Sequence, residues 1–355
     1  MAEKGPLHQK DNPLSRRGFL KIVALSSAAG AALKFGLTAS RRPHHFTRSR
    51  ILMGTVVNIT IVGYDKKKAA RAAERCLSVM KELESALSRY QPDSDLSRLN
   101  AQGRLDEAHP ALLDIVQRSL AISRDSRGAF DITIKPLVDL YQKAQQRSGK
   151  LPSCRDMQRA LSLVNHQDII IEGAGILFAK PQMEITLDGI AKGYIVDQGM
   201  NALRENGFSR VMVEAGGDLY TGNLKYNNQP WRVGIQHPRP TGDQEYITSI
   251  SAADQAVATS GDYQHTFSDD YRAHHILDPR TGFSPGEVAS ATVIAPETCL
   301  ADTLSTTLLV MGIKKGLEWI EGREHCQAVI ISKELEIHTT SSLTTITTND
   351  RTRKL

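Results

Sequence analysis

The chain has 355 residues, enough for one large domain or two modest ones, and its 40% hydrophobic and 23% charged residues are those of an ordinary soluble globular protein. The net charge of +5 is mild and gathers near the N-terminus, and aromatic residues make up only 5%, so no basic, aromatic-interleaved patch argues for nucleic acid as a partner. Cys76, Cys154, Cys299 and Cys326 show neither close pairing nor metal-ligand spacing. They read as small apolar residues rather than a disulfide framework, with a single bridge left open.

The first forty residues do not read as fold. Arg16-Arg17-Gly18-Phe19-Leu20-Lys21 precedes a weakly apolar run from Ile22 to Leu37. A twin-arginine pair before a mild hydrophobic region is the pattern of a Tat export signal. Leu37-Thr38-Ala39 is a poor small-x-small cleavage site, so residues 1–40 are a signal peptide or an uncleaved N-terminal membrane anchor. Either reading places the protein in the periplasm. A basic linker over 41–50, one domain over 51–340 and a frayed threonine-rich tail over 341–355 complete the expected organisation.

In chain order, Met53-Gly54-Thr55 leads into a half-buried strand in which Val57, Ile59 and Ile61 alternate with Asn58 and Thr60. Lys66–Leu87 is an amphipathic helix with Ala69, Ala73, Cys76, Leu77, Met80, Leu83 and Leu87 on one face. Ser88–Asn100 reads as a polar loop, with Pro92 blocking continuation of the helix. Helices are expected over Pro110–Ser123, Pro136–Gln145 and Leu151–Val164, with a short strand at Ile169–Ile171. Met183, Ile185 and Leu187 alternate as a strand that runs through Gly189 into a helix, Ile190–Glu205. Further strands are expected at Val211–Val213, Trp231–Ile235, Tyr246–Ile250, Ala256–Thr259, His275–Leu277 and Ser290–Ile294, then a helix over Asp302–Met311. Strands dominating the second half, with helices at intervals and short turns, indicate an α+β fold of largely antiparallel sheets.

Three stretches have the residue types for chemistry. Glycine-punctuated entry into the Ile190–Glu205 helix gathers free N–H groups and the positive end of the helix dipole, a setting for phosphate. Lys192 lies in that first turn, where a cation is explained by a nearby anion, or by simple solvent exposure. Asp302 and Thr306 are four apart, so they share a helix face and offer hard oxygen donors suited to Mg²⁺, unless Asp302 is only a helix cap. The Gly189 carbonyl is a candidate third ligand. His275, leading into the Asp278-Pro279-Arg280-Thr281-Gly282 turn, is a base, a ligand or a polar surface residue.

Together these stretches resemble the ApbE family of FAD:protein FMN transferases. The matching pieces are Met53-Gly54-Thr55, Ser94–Asn100, Gly128-Ala129-Phe130-Asp131-Ile132-Thr133, Leu187–Tyr194, Glu214–Asp218, Thr259-Ser260-Gly261, His275–Gly282 and Ala301–Thr306, in family order. The resemblance implies an ApbE-like (T-fold-like) architecture of antiparallel sheets with flanking helices. It implies Mg²⁺-dependent transfer of FMN from FAD onto a threonine or serine hydroxyl of a partner flavoprotein, a subunit of an exported or membrane redox complex, with release of AMP. By motif position it assigns FAD contacts to Met53, Tyr90, Ala129, Phe130, Asp131, Thr186, Lys192 and Ile276. Mg²⁺ is assigned to Gly189, Asp302 and Thr306, and the catalytic base to His275.

The chain departs from the family at one point. Many members read Asp-Leu-Gly where this one reads Thr186-Leu187-Asp188, which displaces the carboxylate and leaves Asp188 without an assigned role. Two other activities fit the same residues: a pyrophosphatase splitting FAD to FMN and AMP, and a non-catalytic protein that delivers flavin.

Overall fold

The computed structural model describes residues 43–226, 228–239, 245–343 and 346–348, within a unit spanning Arg42–Leu355. The expected export signal or anchor over 1–40 lies outside the described residues, as do the last residues of the expected tail. Among the described residues no helix is long and apolar enough to cross a membrane.

Strands β1 (His44–Leu52) and β2 (Thr55–Gly63) form an antiparallel hairpin in which Leu52 pairs with Thr55. Met53 and Gly54 at its turn both have positive φ, 53° and 68°, the conformation a two-residue hairpin of this twist needs at both central positions. Most of β1 falls in the segment expected to be a linker. It is an edge strand with mainly exposed side chains, so it lacks the buried alternation by which β2 is recognised.

Helix α1 (Lys66–Leu87) has the expected bounds, opened by Asp65, whose carboxylate accepts the Lys68 N–H at 2.9 Å. The stretch expected as a loop over Ser88–Asn100 instead contains most of α2 (Asp95–Gln102). Its polar start is a cap: Ser94 Oγ accepts the Ser97 N–H, and Leu96 and Leu99 supply the buried face. The chain continues through β3 (Arg104–Leu105), α3 (Pro110–Asp125), α4 (Lys135–Ser148), α5 (Cys154–Leu161), β4 (Ile169–Glu172) and β5 (Gly175–Phe178). Strands β3, β5 and β4 make a small sheet in that order.

The second half carries α6 (Ala191–Glu205), β6 (Val211–Ala215), β7 (Asp218–Thr221), β8 (Trp231–Gln236), β9 (Tyr246–Ala252), β10 (Gln255–Gly261), β11 (Val288–Ala295), α7 (Thr298–Met311), α8 (Ile313–Glu321), β12 (Gln327–Ser332), β13 (Ile337–Thr339) and β14 (Ile346–Thr348). The main sheet has eight strands in the order β1-β2-β6-β7-β10-β11-β12-β13, and a third sheet runs β14-β9-β8. Every pairing among the described strands is antiparallel, as expected for an α+β fold. Strand β14 pairs with β9, so residues 346–348 of the expected frayed tail belong to a sheet.

Alternation along the central strands feeds two separate cores. Ala256, Ala258, Ala291, Val293, Ala328 and Ile330 face the large core under α1, α6 and α7. Val257, Ile294, Val329 and Ile331 face the other side and pack with Val233, Ile235 and Ile250 of the third sheet. A third cluster joins α4 and α5 to Leu277. The main sheet is thus covered on both faces, and the loops at the end of β10, with α6 and α7, converge on the residues singled out from the sequence.

Two expected strands do not form. Residues 183–187 belong to no sheet: Asn100 bonds the Ile185 N–H (2.8 Å) and carbonyl (2.9 Å), and the Thr186 N–H reaches the Ile132 carbonyl (2.8 Å). Their alternation records burial of Met183, Ile185 and Leu187, not ladder pairing. His275–Leu277 is likewise irregular, with only an isolated Thr266–His274 bridge beside it.

Candidate functional site

Helices α6 and α7 meet at Gly193. A Cβ there would lie 2.4 Å from the Thr298 carbonyl oxygen and 2.9 Å from Asp302 Cβ, so a side chain at this point would force the helices apart. The close approach lets the Gly193 N–H donate to Asp302 Oδ2 at 3.0 Å. Asp302 lies a full turn inside α7, which begins at Thr298, so it is not the cap of that helix. Asp197 of α6 does that work, accepting the Thr298 and Cys299 N–H groups at 2.7 and 2.8 Å.

Lys192 is the neighbour of that contact. Its Nζ is 2.8 Å from Asp218 Oδ2 and 3.4 Å from the Gly216 carbonyl. The anion expected near this lysine is therefore supplied in part by the protein itself. Asp218 is buried, and although its Oδ2 is at contact distance from the ammonium it accepts no well-directed hydrogen bond. Glu214 closes the cluster, holding Asn58 Nδ2 at 2.7 Å and the Gly217 N–H at 2.9 Å.

Burial raises the carboxyl pKa values of Asp302 and Asp218, and the proximity of Asp218 pushes Asp302 further up. Burial opposes the charge of Lys192, but Asp218 and Asp302 outweigh it and its pKa rises. Among the described residues, three buried carboxylates share one ammonium and are short of positive charge. These residues fit a hard divalent cation.

The second half of the site lies on the same face of α7. Thr306 Oγ1 is 2.9 Å from Ser260 Oγ, which is also 2.8 Å from Ser305 Oγ. At Gly189, a Cβ would stand 3.3 Å from both Thr306 Oγ1 and the Phe130 ring, which brings Gly189, Thr306 and Phe130 together. Ala129 and Phe130 are buried behind Gly128, whose φ is +76°. Asp131 is occupied by protein: one oxygen takes the Thr133 N–H and hydroxyl, and the other contacts His166 N and Nδ1 at 2.9 and 3.0 Å. A cavity of 270 Å³ opens beside it, lined by Gly128, Asp131, His166 and Arg280 among others.

Thr186 Oγ1 accepts the Asp188 N–H at 3.3 Å, and the Asp188 carboxylate turns outward to Arg89 at 2.9 Å. The displaced carboxylate thus has a partner. Arg89 also stacks on Tyr90, 4.5 Å from the ring centroid, leaving Tyr90 76% exposed. Met53 is fixed from its N–H to Glu84 Oε1 at 2.8 Å. Ile276 is buried against the large core.

His275 stands apart: among the described residues no hydrogen bond or ion pair joins it to Lys192, Asp302 or Thr306. Its backbone N–H and its Nδ1 both point at the His265 carbonyl, at 2.9 and 3.1 Å. A carbonyl only accepts, so Nδ1 carries the proton and Nε2 keeps its lone pair. Burial, with the nearby His265 adding, lowers its pKa to about 4, so the ring is neutral at pH 7.

Asp197 and Arg89 were not singled out from the sequence, and Glu214, Asp218, Ser260 and Asp188 were noted in their motifs without a role in the site. Asp218 carries a legible signal, an acidic residue opening the strand Asp218-Leu219-Tyr220-Thr221, all of it buried. Arg89 and Asp188 are far apart in sequence, and only the fold pairs them.

The sequence pattern of the ApbE family matches residues 53–330. The FAD:protein FMN transferase of Salmonella typhimurium is 32% identical over 296 residues, covering 80% of this chain and 83% of that protein. The Escherichia coli K12 protein of the same description is 31% identical over 323 residues, covering 86% and 91%. Among solved structures, the flavin transferase ApbE from Vibrio cholerae superimposes with a TM-score of 0.73 at 29% identity, covering 85% of this chain and 98% of that one. The apo flavinyl transferase ApbE of Pseudomonas stutzeri gives 0.73 at 30%, covering 86% and 97%.

Proposed function

This chain belongs to the ApbE family, and from that premise we propose that it transfers FMN from FAD, with Mg²⁺, onto a serine or threonine hydroxyl of a partner flavoprotein and releases AMP. The observation that carries the metal-dependent form of this reading is the buried Asp302–Asp218–Lys192 cluster beside Thr306 and Gly189. Asp302, Thr306 and the Gly189 carbonyl would hold the ion, and when bound it supplies neutralisation of charge on the departing AMP phosphate. Lys192, already fixed by Asp218, adds a second positive charge for the pyrophosphate. The free N–H groups expected at the start of α6 are not available for this, since those of Ala191, Gly193 and Tyr194 go to the Leu187 carbonyl, Asp302 and the Ile190 carbonyl.

In the reaction the acceptor oxygen forms a bond to the FMN phosphorus as the bond from that phosphorus to the bridging oxygen breaks, and AMP leaves with the bridging oxygen. The acceptor's proton goes to His275 Nε2, the nitrogen left free by the His265 carbonyl. Flavin contacts are assigned to Met53, Tyr90, Ala129, Phe130, Thr186 and Ile276. At Asp131, whose carboxylate is held by Thr133 and His166, they are left to the backbone. The acceptor is a flavoprotein subunit of an exported or membrane redox complex, met in the periplasm after Tat export.

Incubation with FAD, Mg²⁺ and an acceptor flavoprotein domain tests the reading by mass spectrometry. An FMN adduct on the acceptor with equimolar AMP is expected. Free FMN and AMP with no adduct would make the protein a pyrophosphatase, and unchanged FAD would make it a carrier.

A further inference from the structure

Behind the segment that carries His275 lies an ion cluster that none of the chemistry above uses. Asp262 follows β10 directly, is 0% exposed, and is anchored by its N–H to the Ala289 carbonyl at 2.9 Å. Its carboxylate takes a two-pronged contact from Arg239, at 2.8 and 2.7 Å, and a third contact from Lys333 Nζ at 3.1 Å. Arg239 comes from the loop after β8, and Lys333 from the turn after β12. Three segments distant in sequence therefore converge on one buried carboxylate.

Both cations also grip the same residue. Lys333 Nζ donates to the Tyr271 carbonyl at 2.6 Å, and the Arg239 guanidinium lies 3.8 Å from the Tyr271 ring centroid. Tyr271 sits near the tip of an irregular hairpin over residues 263–275, with φ at +59°. That hairpin is closed by Phe267 N–H to the Ala273 carbonyl at 2.7 Å and by the Thr266–His274 bridge. It ends at His275, held by the His265 carbonyl on the opposite arm. Tip and root of one short loop are thus both tied, and the root tie is the one that orients the imidazole.

Apolar side chains of similar volume often stabilise a fold as well as a buried ion cluster of this kind does. What the cluster supplies is one fixed geometry. We infer that Asp262, acting through Arg239 and Lys333, is a positioning residue that holds the 263–275 hairpin so that His275 Nε2 faces the acceptor hydroxyl. This rests on the reading of His275 as the base.

The test is a double-mutant cycle in single-turnover FMN transfer at saturating FAD, with FAD titration and melting temperature measured on each variant. The variants are Lys333→Met, Lys333→Arg, Asp262→Asn and His275→Ala, with each of the first three also combined with His275→Ala. Displacement of a reacting group by about 1 Å costs on the order of 10²-fold. Lys333→Met and Asp262→Asn are therefore expected to slow transfer by about 10- to 100-fold. FAD affinity should stay within about twofold, with Lys333→Arg restoring the rate because it keeps the charge and a donor for Tyr271. In the His275→Ala background the same changes should slow nothing further, because they act through the missing ring.

Lys333→Met removes one cation and leaves the Arg239–Asp262 pair, so it keeps the test open if Asp262→Asn does not fold. A folded Lys333→Met with full transfer, or losses that multiply with that of His275→Ala, would overturn the positioning role. Full transfer by His275→Ala itself would instead overturn the base on which it rests.

Discussion

At the scale of single residues, the two neighbouring histidines divide their work by burial and hydrogen bonding. His275 keeps Nε2 free for the proposed role of general base, a kind of help that contributes about 10²–10⁴-fold. His275→Ala is expected to lose transfer by that order while FAD binding, followed by titration, is retained; a loss explained wholly by weaker FAD binding would make it a binding residue. His274 is fully buried, gives its Nε2 proton to the Pro285 carbonyl at 3.2 Å and has no partner for Nδ1. His274→Ala is expected to lower the melting temperature, with little change in the rate of transfer. Burial lowers both pKa values to about 4. Folded values below the unfolded value of about 6.5 mean that this stability is present above pH 6.5 and is lost as pH falls through 4. Melting temperature should therefore drop across that window in the wild type, and less steeply in His274→Ala. The rate of transfer should stay level from pH 8 to about 5, because the free base does not change.

At the scale of elements, what was legible depended on whether burial followed a single period. Helix α1 and strand β2 each bury one face, so the helix bounds were readable to the residue and the strand was recognised by its Val57, Ile59 and Ile61 alternation. Strand β1 lies at an edge with both faces largely open, so its sequence looked like a linker. Residues 183–187 alternate in burial with no strand beside them, because an asparagine side chain replaces the neighbouring ladder. Helix α7 starts four residues before its expected start at Asp302, since its true cap is contributed by Asp197 from another helix. Of the candidate residues, Gly189 with Lys192 and Asp302 with Thr306 were visible because each pair is local in sequence, whereas Asp218 depends on β7 lying beside α6. Gly193 shows how tightly that meeting is set. Gly193→Ala must displace the backbone at Thr298, and overpacking of this sort costs about 1–3 kcal/mol. Gly189→Ala meets only side-chain atoms at 3.3 Å and should fold normally. Thermal melts of the two variants check the contrast, and equal stability would mean that the α6–α7 contact is loose.

At the scale of the whole molecule, the buried charges of the candidate site oppose folding unless they are balanced. Among the described residues, Lys192 alone faces Asp218, Asp302 and Glu214, all three carboxyls buried where α6, α7, β6 and β7 come together. Bringing like charges together away from water is unfavourable, so the metal-free protein carries that repulsion in its folded state and not in its unfolded one. A cation that binds only the folded form stabilises it by mass action, about 2.7 kcal/mol when present at a hundred times its dissociation constant. Asp302→Asn keeps a carbonyl oxygen for the Gly193 N–H but removes the carboxyl whose ionisation burial and Asp218 oppose. In chelator this variant should melt above the wild type, the reverse of the usual result of altering a buried residue, since one pKa unit relieved corresponds to about 1.4 kcal/mol. With Mg²⁺ the order should invert, because the wild type gains stability and Asp302→Asn does not. Scanning calorimetry of both proteins with EDTA and across a Mg²⁺ series provides the check, with no need for FAD or an acceptor. A wild type indifferent to Mg²⁺ would remove the metal from this cluster. A variant less stable than wild type in chelator would show that the Gly193–Asp302 hydrogen bond outweighs the crowding of carboxylates.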